Sequence, residues 1–312
     1  MTNIKKPIRI GCIGEAMVEL SLGSSADAPP GLGYAGDSLN TAIYLKRLLQ
    51  EDAEVAFISK IGHDPLSARL AEFVASESIN TSYLGRSDKK QVGIYAIATD
   101  SQGERTFSYW RNDSAARALF QSGSGLDFSS LDGFDVLLFS AITLAILPDH
   151  VRQALVTEFN RLRQEKGTTV VFDSNYRPAL WESQRQAQQS VTAAWSITDI
   201  ALPSVDDEMA LFNDTDEAAV VSRLKTTGVT NGAIKRGELG PMALDSTHTI
   251  LQIDTSTPIT VVDTTAAGDS FNAGYLSAAL RGSSSVDAML AGHQCACRVI
   301  ACAGAIIPAV DW

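Results

Sequence analysis

From residue 135 onward, segments typical of strands alternate with segments typical of helices, and this alternation constrains the fold more than any other feature. The run includes Val136–Phe139, a helix near Asp149–Lys166, then Thr169–Phe172, and after a further helix Ile200–Leu202. Parallel strands that follow one another in the chain need a long, usually helical connection between them. The pattern therefore predicts an α/β fold, a three-layer α/β/α core in which helices cover both faces of a parallel sheet.

Two segments outside this alternation predict a small separate sheet. Val92–Thr99 and Arg105–Trp110 are rich in strand-forming residues, and a turn sequence at residues 100–103 joins them. Glu15–Leu22 alternates weakly, as a half-exposed strand does, whereas Ser24–Gly36 is rich in Ser, Ala, Pro and Gly and predicts a loop. We therefore divide the chain into a β lid and an α/β core. The lid takes residues 15–35 and 88–111, and the core takes residues 1–14, 36–87 and 112–312.

The charge and the apolar runs of the chain argue against several classes of protein. The 25 basic and 36 acidic residues give a net charge of −11, which opposes binding to a nucleic-acid backbone. The longest uncharged runs, Val136–Pro148 and Val299–Val310, are shorter than the roughly 18 residues that a membrane span needs. The four cysteines are too few for a disulfide framework and indicate a reducing compartment. We therefore expect a cytoplasmic protein that binds neither nucleic acid nor membrane.

Common motifs of other nucleotide-binding proteins are missing or incomplete. Gly11-Cys-Ile-Gly14 follows a predicted strand but lacks the middle glycine of the dinucleotide fingerprint, so it gives NAD binding little support. No glycine is followed directly by lysine, which excludes a Walker P-loop. The four histidines are scattered without metal-ligand spacing. A phosphate or metal site in this chain must therefore use a different motif.

The segment Asp263-Thr-Thr-Ala-Ala-Gly-Asp269 is the most informative stretch of the sequence. The apolar run Ile259–Val262 predicts a strand before it, and a helix follows it. Three backbone N–H groups would then form an anion hole at the positive end of the helix dipole, those of Ala266, Ala267 and Gly268. Asp269 would accept the proton of a hydroxyl that attacks a phosphoryl group there. An ordinary junction in which the aspartate caps the helix fits the spacing equally well.

This segment resembles the second signature of the PfkB, or ribokinase, family of sugar kinases, whose pattern is Asp-Thr-x-Gly-Ala-Gly-Asp. The chain has Ala266 where most members have the first glycine. Residues 35–42, Ala-Gly-Asp-Ser-Leu-Asn-Thr-Ala, are similar to the N-terminal element of the family, with Ala35 in place of a glycine. The resemblance implies a ribokinase-like fold with a small β-sheet lid, and ATP and Mg²⁺ as the cofactors. It also implies that Asp269 is the base beside the anion hole.

Longer stretches resemble the branch of that family that phosphorylates 2-keto-3-deoxygluconate, namely residues 100–112, 172–181 and 304–308. The resemblance implies an ATP-dependent kinase that acts on the 6-hydroxyl of this sugar acid. Arg111 and Arg177 suit its carboxylate, and two tyrosines suit its keto and hydroxyl oxygens. The expected substrate-binding residues are Gly36, Asp37, Ser38, Leu39, Asn40, Tyr95, Tyr109, Trp110, Arg111, Arg177 and Asp269. Without the resemblance, residues 109–111 are typical of an ordinary half-exposed strand.

The nucleotide is expected at a glycine turn and at the carboxyl ends of neighbouring strands. Lys235-Arg-Gly-Glu-Leu-Gly240 resembles the Lys-x-Gly-x-x-Gly turn of the family, although Gly-x-x-Gly alone is usually a hairpin turn. Asp207 is the candidate magnesium residue, because residues 204–207 occupy the place of Asn-x-x-Glu; a helix N-cap explains Ser204 equally well. The expected nucleotide-binding residues are Asn175, Tyr176, Arg177, Lys235, Arg236, Gly237, Glu238, Leu239, Gly240, Ala266, Ala267 and Gly268.

Several alternatives stay open on the sequence alone. A related kinase for fructose, ribose or an epimeric keto-deoxy acid is the nearest, followed by a regulatory protein that binds sugar or nucleotide without turnover. A dehydrogenase is the third, and it depends on the poorly matched Gly11–Gly14 turn. The partners that we expect are a small sugar acid and ATP. An exposed edge of the lid sheet would also allow a homodimer or a higher homo-oligomer.

Overall fold

The strands of the protein form one large parallel sheet and three smaller sheets. The computed structural model describes residues 6–22, 29–99, 105–252 and 260–312. The strands are β1 (Ile8–Ile13), β2 (Met17–Ser21), β3 (Gly31–Ala35), β4 (Ala53–Ile61), β5 (Leu84–Arg86), β6 (Gly93–Thr99), β7 (Arg105–Trp110), β8 (Gln121–Ser122), β9 (Gly125–Leu126), β10 (Val136–Ser140), β11 (Thr169–Asp173), β12 (Ile200–Ala201), β13 (Ala233–Ile234) and β14 (Met242–Ala243). The large sheet has the order β12-β11-β10-β1-β4-β5, and each neighbouring pair is parallel.

The helices lie on both faces of this sheet. They are α1 (Asp37–Leu49), α2 (Pro65–Ser76), α3 (Ala141–Ile146), α4 (Asp149–Lys166), α5 (Gln184–Trp195), α6 (Val205–Phe212), α7 (Glu217–Thr226), α8 (Ala267–Ala279) and α9 (Ser285–Ile300). Short 3₁₀ turns complete the connections. Even α4, with 18 residues, carries many charged side chains, and among the described helices we find none that combines the length and hydropathy of a membrane span.

Strand β10 shows how the sequence builds three layers. All five of its side chains are buried, as expected for a strand covered on both faces. Val136 and Leu138 pack in a cluster with side chains of α1, α2, α8 and α9, whereas Leu137 and Phe139 pack in a second cluster with α4, α5 and α7. Successive residues of a strand point to opposite faces, so one uninterrupted apolar run supplies both cores. The predicted three-layer α/β fold is confirmed.

The lid is a four-stranded sheet in the order β3-β2-β6-β7. Strand β2 is antiparallel to β3 and parallel to β6, and β6 is antiparallel to β7. All four strands lie in the two segments that we assigned to the lid, although the division of the chain into lid and core stays a prediction. The turn expected at residues 100–103 lies outside the described residues.

One loop prediction within the lid is wrong. Gly31–Ala35 was expected to be part of a loop, because it is rich in glycine, but it forms strand β3. It pairs along its whole length with β2, with Gly33 opposite Glu19 and Gly31 opposite Ser21. Pairing with a neighbouring strand outweighs the weak intrinsic preference of glycine against strands.

Candidate active site

The Asp269 carboxyl is held at the junction of helices α1 and α8. Asn40 Nδ2 donates to its Oδ2 at 2.8 Å, and Thr41 Oγ1 donates to its backbone carbonyl at 3.2 Å. Burial raises the pKa of Asp269 to about 7; Asp37 and Asp173 also raise it, whereas the Asn40 hydrogen bond and Lys235 lower it. A carboxyl group that titrates near neutral pH suits a general base.

The turn before Asp269 offers fewer free donors than the sequence suggested. Ala267 N donates to Thr264 O at 3.1 Å, so the expectation of an unpaired N–H at Ala267 is wrong. Within the described part of the chain, the N–H groups of Ala266 and Gly268 meet no acceptor. Ala266 is the N-cap of α8 and has φ 61°, a left-handed conformation that glycine adopts without strain and alanine does not.

The segment that leads into this turn is not a strand. The apolar run Ile259–Val262 was expected to form a strand. Residues 260–262 have no regular structure, and Ile259 lies outside the described residues. Val262 N and Asp263 N both donate to Ile300 O, at 2.8 and 3.1 Å. Both N–H groups bond to one carbonyl at the end of α9 and not to successive residues of a neighbouring strand, so this pairing is not a β-ladder. The buried Asp263 carboxylate then accepts from Thr265 N at 2.8 Å and Gly304 N at 2.7 Å.

At the start of α1, the Asp37 carboxylate lies in the cleft, whereas Leu39 is buried in the core. Asp37 Oδ2 accepts from Ser140 Oγ and, at 3.0 Å, from Asn175 Nδ2. The Asp37 carboxylate is therefore fixed by the ends of β10 and by the loop after β11. Leu39, by contrast, has no exposed surface and packs in the core, so its expected contact with a substrate is corrected. Ser38 is also buried, with 1% of its surface exposed.

Gly36 lies where the lid joins the core, at a position that leaves no room for a side chain. A Cβ on Gly36 would lie 2.1 Å from Glu15 O, which is backbone and cannot turn away. Any residue larger than glycine would separate the start of α1 from the link between β1 and β2, which contains Glu15. The close approach seen at Gly36 is to the protein backbone, and its expected contact with the sugar stays a prediction.

The two tyrosines of the lid lie side by side on one face of its sheet. Tyr95 and Tyr109 are register partners of β6 and β7, and their ring centroids are 5.9 Å apart. Tyr95 is buried and its hydroxyl donates to Glu19, whereas Tyr109 is exposed. Trp110 is the next residue along β7, so it points to the opposite face, and its expected contact with the same substrate is corrected. Two of the three lid aromatics expected to bind the substrate therefore share one face of the sheet.

The two arginines expected to bind a carboxylate are not equivalent. Arg111 is buried, and its Nε and Nη2 both donate to Glu15 Oε2, the former at 2.8 Å. Arg177 is more open, with 53% of its side chain exposed, and its Nη1 donates to Tyr176 O at 2.8 Å and to Asp207 Oδ1 at 3.3 Å. Arg177 is therefore the more accessible cation, and Arg111 shares its charge with a buried acid.

The expected nucleotide turn contains a single turn of 3₁₀ helix, Gly237–Leu239, and it connects the antiparallel strands β13 and β14, so it is also a hairpin connection. Arg236 Nε donates to Glu217 Oε2 at 2.6 Å, and its Nη1 donates to the carbonyls of Leu239 and Gly240. Arg236 therefore ties the turn to helix α7, and its side chain is a structural partner of the turn rather than a free phosphate ligand. Glu238 and Leu239 are exposed, and Gly240 has φ 74°.

Lys235 points into a buried polar cluster beside the start of α8. Its Nζ donates to Asp173 Oδ1 at 2.8 Å and to Asn272 Oδ1 at 3.0 Å. Asn272 Nδ2 donates in turn to Asp173 Oδ2 at 2.7 Å. The same ammonium lies 3.6 Å from the place where a Cβ on Gly268 would be. The strand end at Asp173, the glycine turn and α8 thus meet at one cation.

Asp207 is a single carboxylate at the edge of this cluster. Burial raises the pKa of Asp207, and Asp173 also raises it, whereas Arg177 and Lys235 lower it. Among the described residues no group of three or more acidic, histidine or cysteine side chains could by itself enclose a metal ion. Mg²⁺ in kinases is usually held by one or two carboxylates together with the phosphates of the substrate. Asp207 fits the part of a single protein carboxylate in such a site.

The sequence reasoning missed four residues of this cleft. They are Glu15, Ser140, Asp173 and Asn272. Ser140 and Asp173 end strands β10 and β11, and the rule that ligands collect at the carboxyl ends of parallel strands could have found them. Asn272 lies one helical turn beyond Gly268–Asp269, on the same side of the helix as the anion hole. Glu15 gave no signal, because its partner is distant in sequence.

Comparison with known proteins identifies the family to which the chain belongs. The family model described as pfkB family carbohydrate kinase matches residues 8–312. A 2-dehydro-3-deoxygluconokinase of Dickeya dadantii (strain 3937) is 40% identical over 303 residues, which are 96% of this chain and 96% of the relative.

Two solved structures share the fold of the whole chain. The crystal structure of a 2-dehydro-3-deoxygluconokinase from Thermotoga maritima has a TM-score of 0.79 at 20% identity and covers 96% of both chains. That of a fructokinase with bound ATP from Xylella fastidiosa has a TM-score of 0.79 at 21% identity, covering 95% of this chain and 93% of that one. The ribokinase-like α/β fold expected from the sequence is confirmed.

Proposed function

This chain belongs to the pfkB family of carbohydrate kinases, and we propose that it transfers phosphate from ATP to the 6-hydroxyl of 2-keto-3-deoxy-D-gluconate. The full-length relative at 40% identity is named for this reaction, since 2-dehydro-3-deoxygluconate is the same sugar acid. The observation that carries the proposal is the Asp269 carboxyl, held by Asn40 beside the start of α8. A dehydrogenase and a binding protein without turnover lose their support, because the family consists of kinases.

The proposed reaction needs a base and an acceptor site for a transferring phosphoryl group. The Asp269 carboxylate takes the proton of the 6-hydroxyl, and the freed oxygen lone pair forms a bond to the γ-phosphorus of ATP. The bond from that phosphorus to the β–γ bridging oxygen breaks, and ADP leaves with those electrons. The N–H groups of Ala266 and Gly268, at the positive end of α8, would stabilise the charge on the equatorial oxygens.

Mg²⁺ would be held by Asp207 together with the phosphates of ATP, and it would neutralise charge on the β- and γ-phosphates. Asp173 and Lys235 would balance the charge around it from the protein side. The ATP phosphates would lie along the turn that begins at Lys235. The lid would close over the cleft to keep water from competing with the sugar hydroxyl.

A carboxylate distinguishes this substrate from a neutral sugar. Arg177, whose side chain is 53% exposed, and Arg111 at the base of the lid would bind it. Arg111 and Tyr109 both lie on β7 or at its end, two residues apart, so they project to the same face of the lid. Tyr95 and Tyr109 would meet the sugar oxygens on that face.

A substrate panel tests the proposal directly. Purified protein with ATP and Mg²⁺ is assayed for ADP release with 2-keto-3-deoxygluconate, its galacto epimer, gluconate, fructose and ribose. We expect the highest kcat/KM with 2-keto-3-deoxygluconate and a loss of roughly 10²–10⁴-fold in kcat for Asp269→Asn. Preference for fructose or ribose would favour the alternative kinases. Near-normal turnover by the folded Asp269→Asn variant would refute the role of the base.

Arginine substitutions separate the acid from neutral sugars. Arg177→Ala should raise KM for the sugar acid by at least roughly tenfold, because a charge-assisted hydrogen bond contributes about 1.5–3 kcal/mol. The same variant should change turnover of a poor neutral substrate such as fructose by less than about threefold. Equal losses with both sugars would contradict recognition of a carboxylate by Arg177.

Cytoplasmic location and a homo-oligomeric state stay predictions.

A further inference from the structure

The side chains around Lys235 are held in fixed positions by hydrogen bonds to one another. Lys235, Asp173 and Asn272 form a closed triangle in which each side chain is hydrogen-bonded to the other two, at 2.7–3.0 Å. Asp173 and Asn272 are 4% and 1% exposed. The three residues come from three separate elements, the end of β11, the residue after β13, and α8. Such a triangle leaves the lysine little freedom to reorient.

The triangle uses only part of the hydrogen-bonding capacity of the ammonium. A lysine ammonium has three N–H donors, and the triangle takes two of them. The nitrogen lies against Gly268, 3.6 Å from where a Cβ would begin, and the N–H of Gly268 is one of the two in the turn 266–268 that meet no acceptor among the described residues. The third donor is therefore available at the same place as the anion hole.

Lys235 also acts electrostatically on the base, since it lowers the pKa of Asp269. The cation that is hydrogen-bonded to Asp173 and Asn272 therefore also influences the carboxyl group that would accept the proton. Because Asp173 is buried and charged, it fixes the ammonium by an ion pair that solvent screens little.

We propose that Lys235 is a catalytic residue that binds the oxygens of the transferring phosphoryl group, and that Asp173 and Asn272 are positioning residues that aim its ammonium. The proposal deepens the proposed function and rests on it, since it presumes phosphoryl transfer at Asp269. A cation fixed in advance stabilises the transition state more than the bound nucleotide, because charge on the transferred group and the leaving oxygen is redistributed during transfer.

The test separates rate from binding in four variants. Lys235→Met should lower kcat by roughly 10²–10³-fold, while the Kd for a non-hydrolysable ATP analogue changes by less than about tenfold. Asn272→Ala and Asp173→Asn, which keep the lysine, should each lower kcat by about tenfold with nearly unchanged KM for the sugar. Lys235→Arg should not restore kcat, because a planar guanidinium cannot occupy the place of a compact ammonium in the triangle.

A matched control and a second readout keep the proposal falsifiable. Lys60 is also partly buried and donates to two backbone carbonyls, those of Ala118 and Gln121, so Lys60→Met should keep wild-type kcat. In Lys235→Met the pH at which activity rises should move upward, since the lysine lowers the pKa of Asp269. If Lys235→Met does not fold, the kcat and KM of Asn272→Ala alone test the proposal.

The outcomes distinguish this proposal from the proposed function. If the wild-type protein does not phosphorylate 2-keto-3-deoxygluconate but phosphorylates another sugar, the substrate assignment fails. The variants are then compared with the sugar that is phosphorylated. A kcat within threefold of wild type for Lys235→Met overturns the catalytic role. So does a loss that appears entirely in the Kd of the ATP analogue, because Lys235 would then serve ground-state binding only.

Discussion

The Glu15 carboxylate is bonded through one oxygen to both Nε and Nη2 of Arg111, and the pair is buried where the chain passes between core and lid. Glu15 precedes β2 and Arg111 follows β7, so the pair joins the first and last lid strands at their base. The second oxygen, Glu15 Oε1, is buried and meets no hydrogen-bond partner among the described residues. A substrate carboxylate that approaches Arg111 therefore meets a cation already balanced by an acid.

Removing one member of this pair should destabilise the fold. Glu15→Ala leaves a buried guanidinium without its counter-charge, which costs about 3–5 kcal/mol. We expect the free energy of unfolding, measured in urea, to fall by about that amount. Glu165→Ala is the matched control, since Glu165 pairs with Arg161 at an exposed site, and it should cost less than about 1 kcal/mol. Similar costs for the two variants would contradict the burial of the Glu15–Arg111 pair.

The pH dependence of activity should follow the Asp269 carboxyl. Its pKa is raised to about 7, so kcat/KM should rise as pH increases through about 7 and the base loses its proton. Asn40 donates to this carboxylate and lowers its pKa. Asn40→Ala should therefore move the rise to higher pH by roughly one pH unit. Thr41→Val removes a hydrogen bond to the Asp269 backbone only, and a comparable move in that variant would contradict the assignment.

The raised pKa also predicts a link between pH and stability. The folded state retains a proton on Asp269 up to about pH 7, whereas the unfolded chain loses it near pH 4, so this group lowers stability as pH rises between those values. Asp269→Asn should raise the free energy of unfolding at pH 8 by about 1 kcal/mol. The gain should disappear below about pH 4. An equal gain at pH 8 and pH 4 would exclude titration as its cause.

Ala266 should be a site where glycine stabilises the protein. Its φ of 61° costs an alanine about 1–2 kcal/mol, whereas glycine adopts it freely and loses about 0.5–1 kcal/mol through greater freedom of the unfolded chain. We expect Ala266→Gly to raise the free energy of unfolding by about 0.5 kcal/mol. Ala68→Gly, at an exposed position in α2, should lower it by about 1 kcal/mol. Destabilisation by Ala266→Gly would contradict the left-handed conformation.

Gly36 should tolerate no side chain. A Cβ there would lie 2.1 Å from a backbone oxygen, so Gly36→Ala should cost roughly 3 kcal/mol of stability and most of the kinase activity. Gly123 has no atom within 4 Å of the corresponding position and lies on the surface, and Gly123→Ala should be nearly neutral. Thermal unfolding and kcat/KM of both variants check this. A stable, active Gly36→Ala variant would show that the start of α1 can move away from Glu15.

Sequence alone determined the parts of this protein that depend on local pattern. The apolar run Val136–Phe139 and the helices around it predict a parallel sheet, because a strand buried on both faces needs no alternation. The turn that ends at Asp269 fits a phosphoryl site and an ordinary capped junction equally well, and the resemblance to sugar kinases favours the phosphoryl site. The family resemblance, carried by the same turn, is shown by the match over residues 8–312.

The tertiary structure decided which side chains are charged, paired and within reach. Arg111 could not be known to face Glu15, nor Lys235 to face Asp173, because the partners are 96 and 62 positions apart. Strand β3 formed in a glycine-rich segment, and residues 260–262 formed no strand, because neighbouring backbone and not local preference supplied their hydrogen bonds. Hydrogen bonds and desolvation depend on what lies within a few ångströms, and that distance is fixed only when the chain is folded.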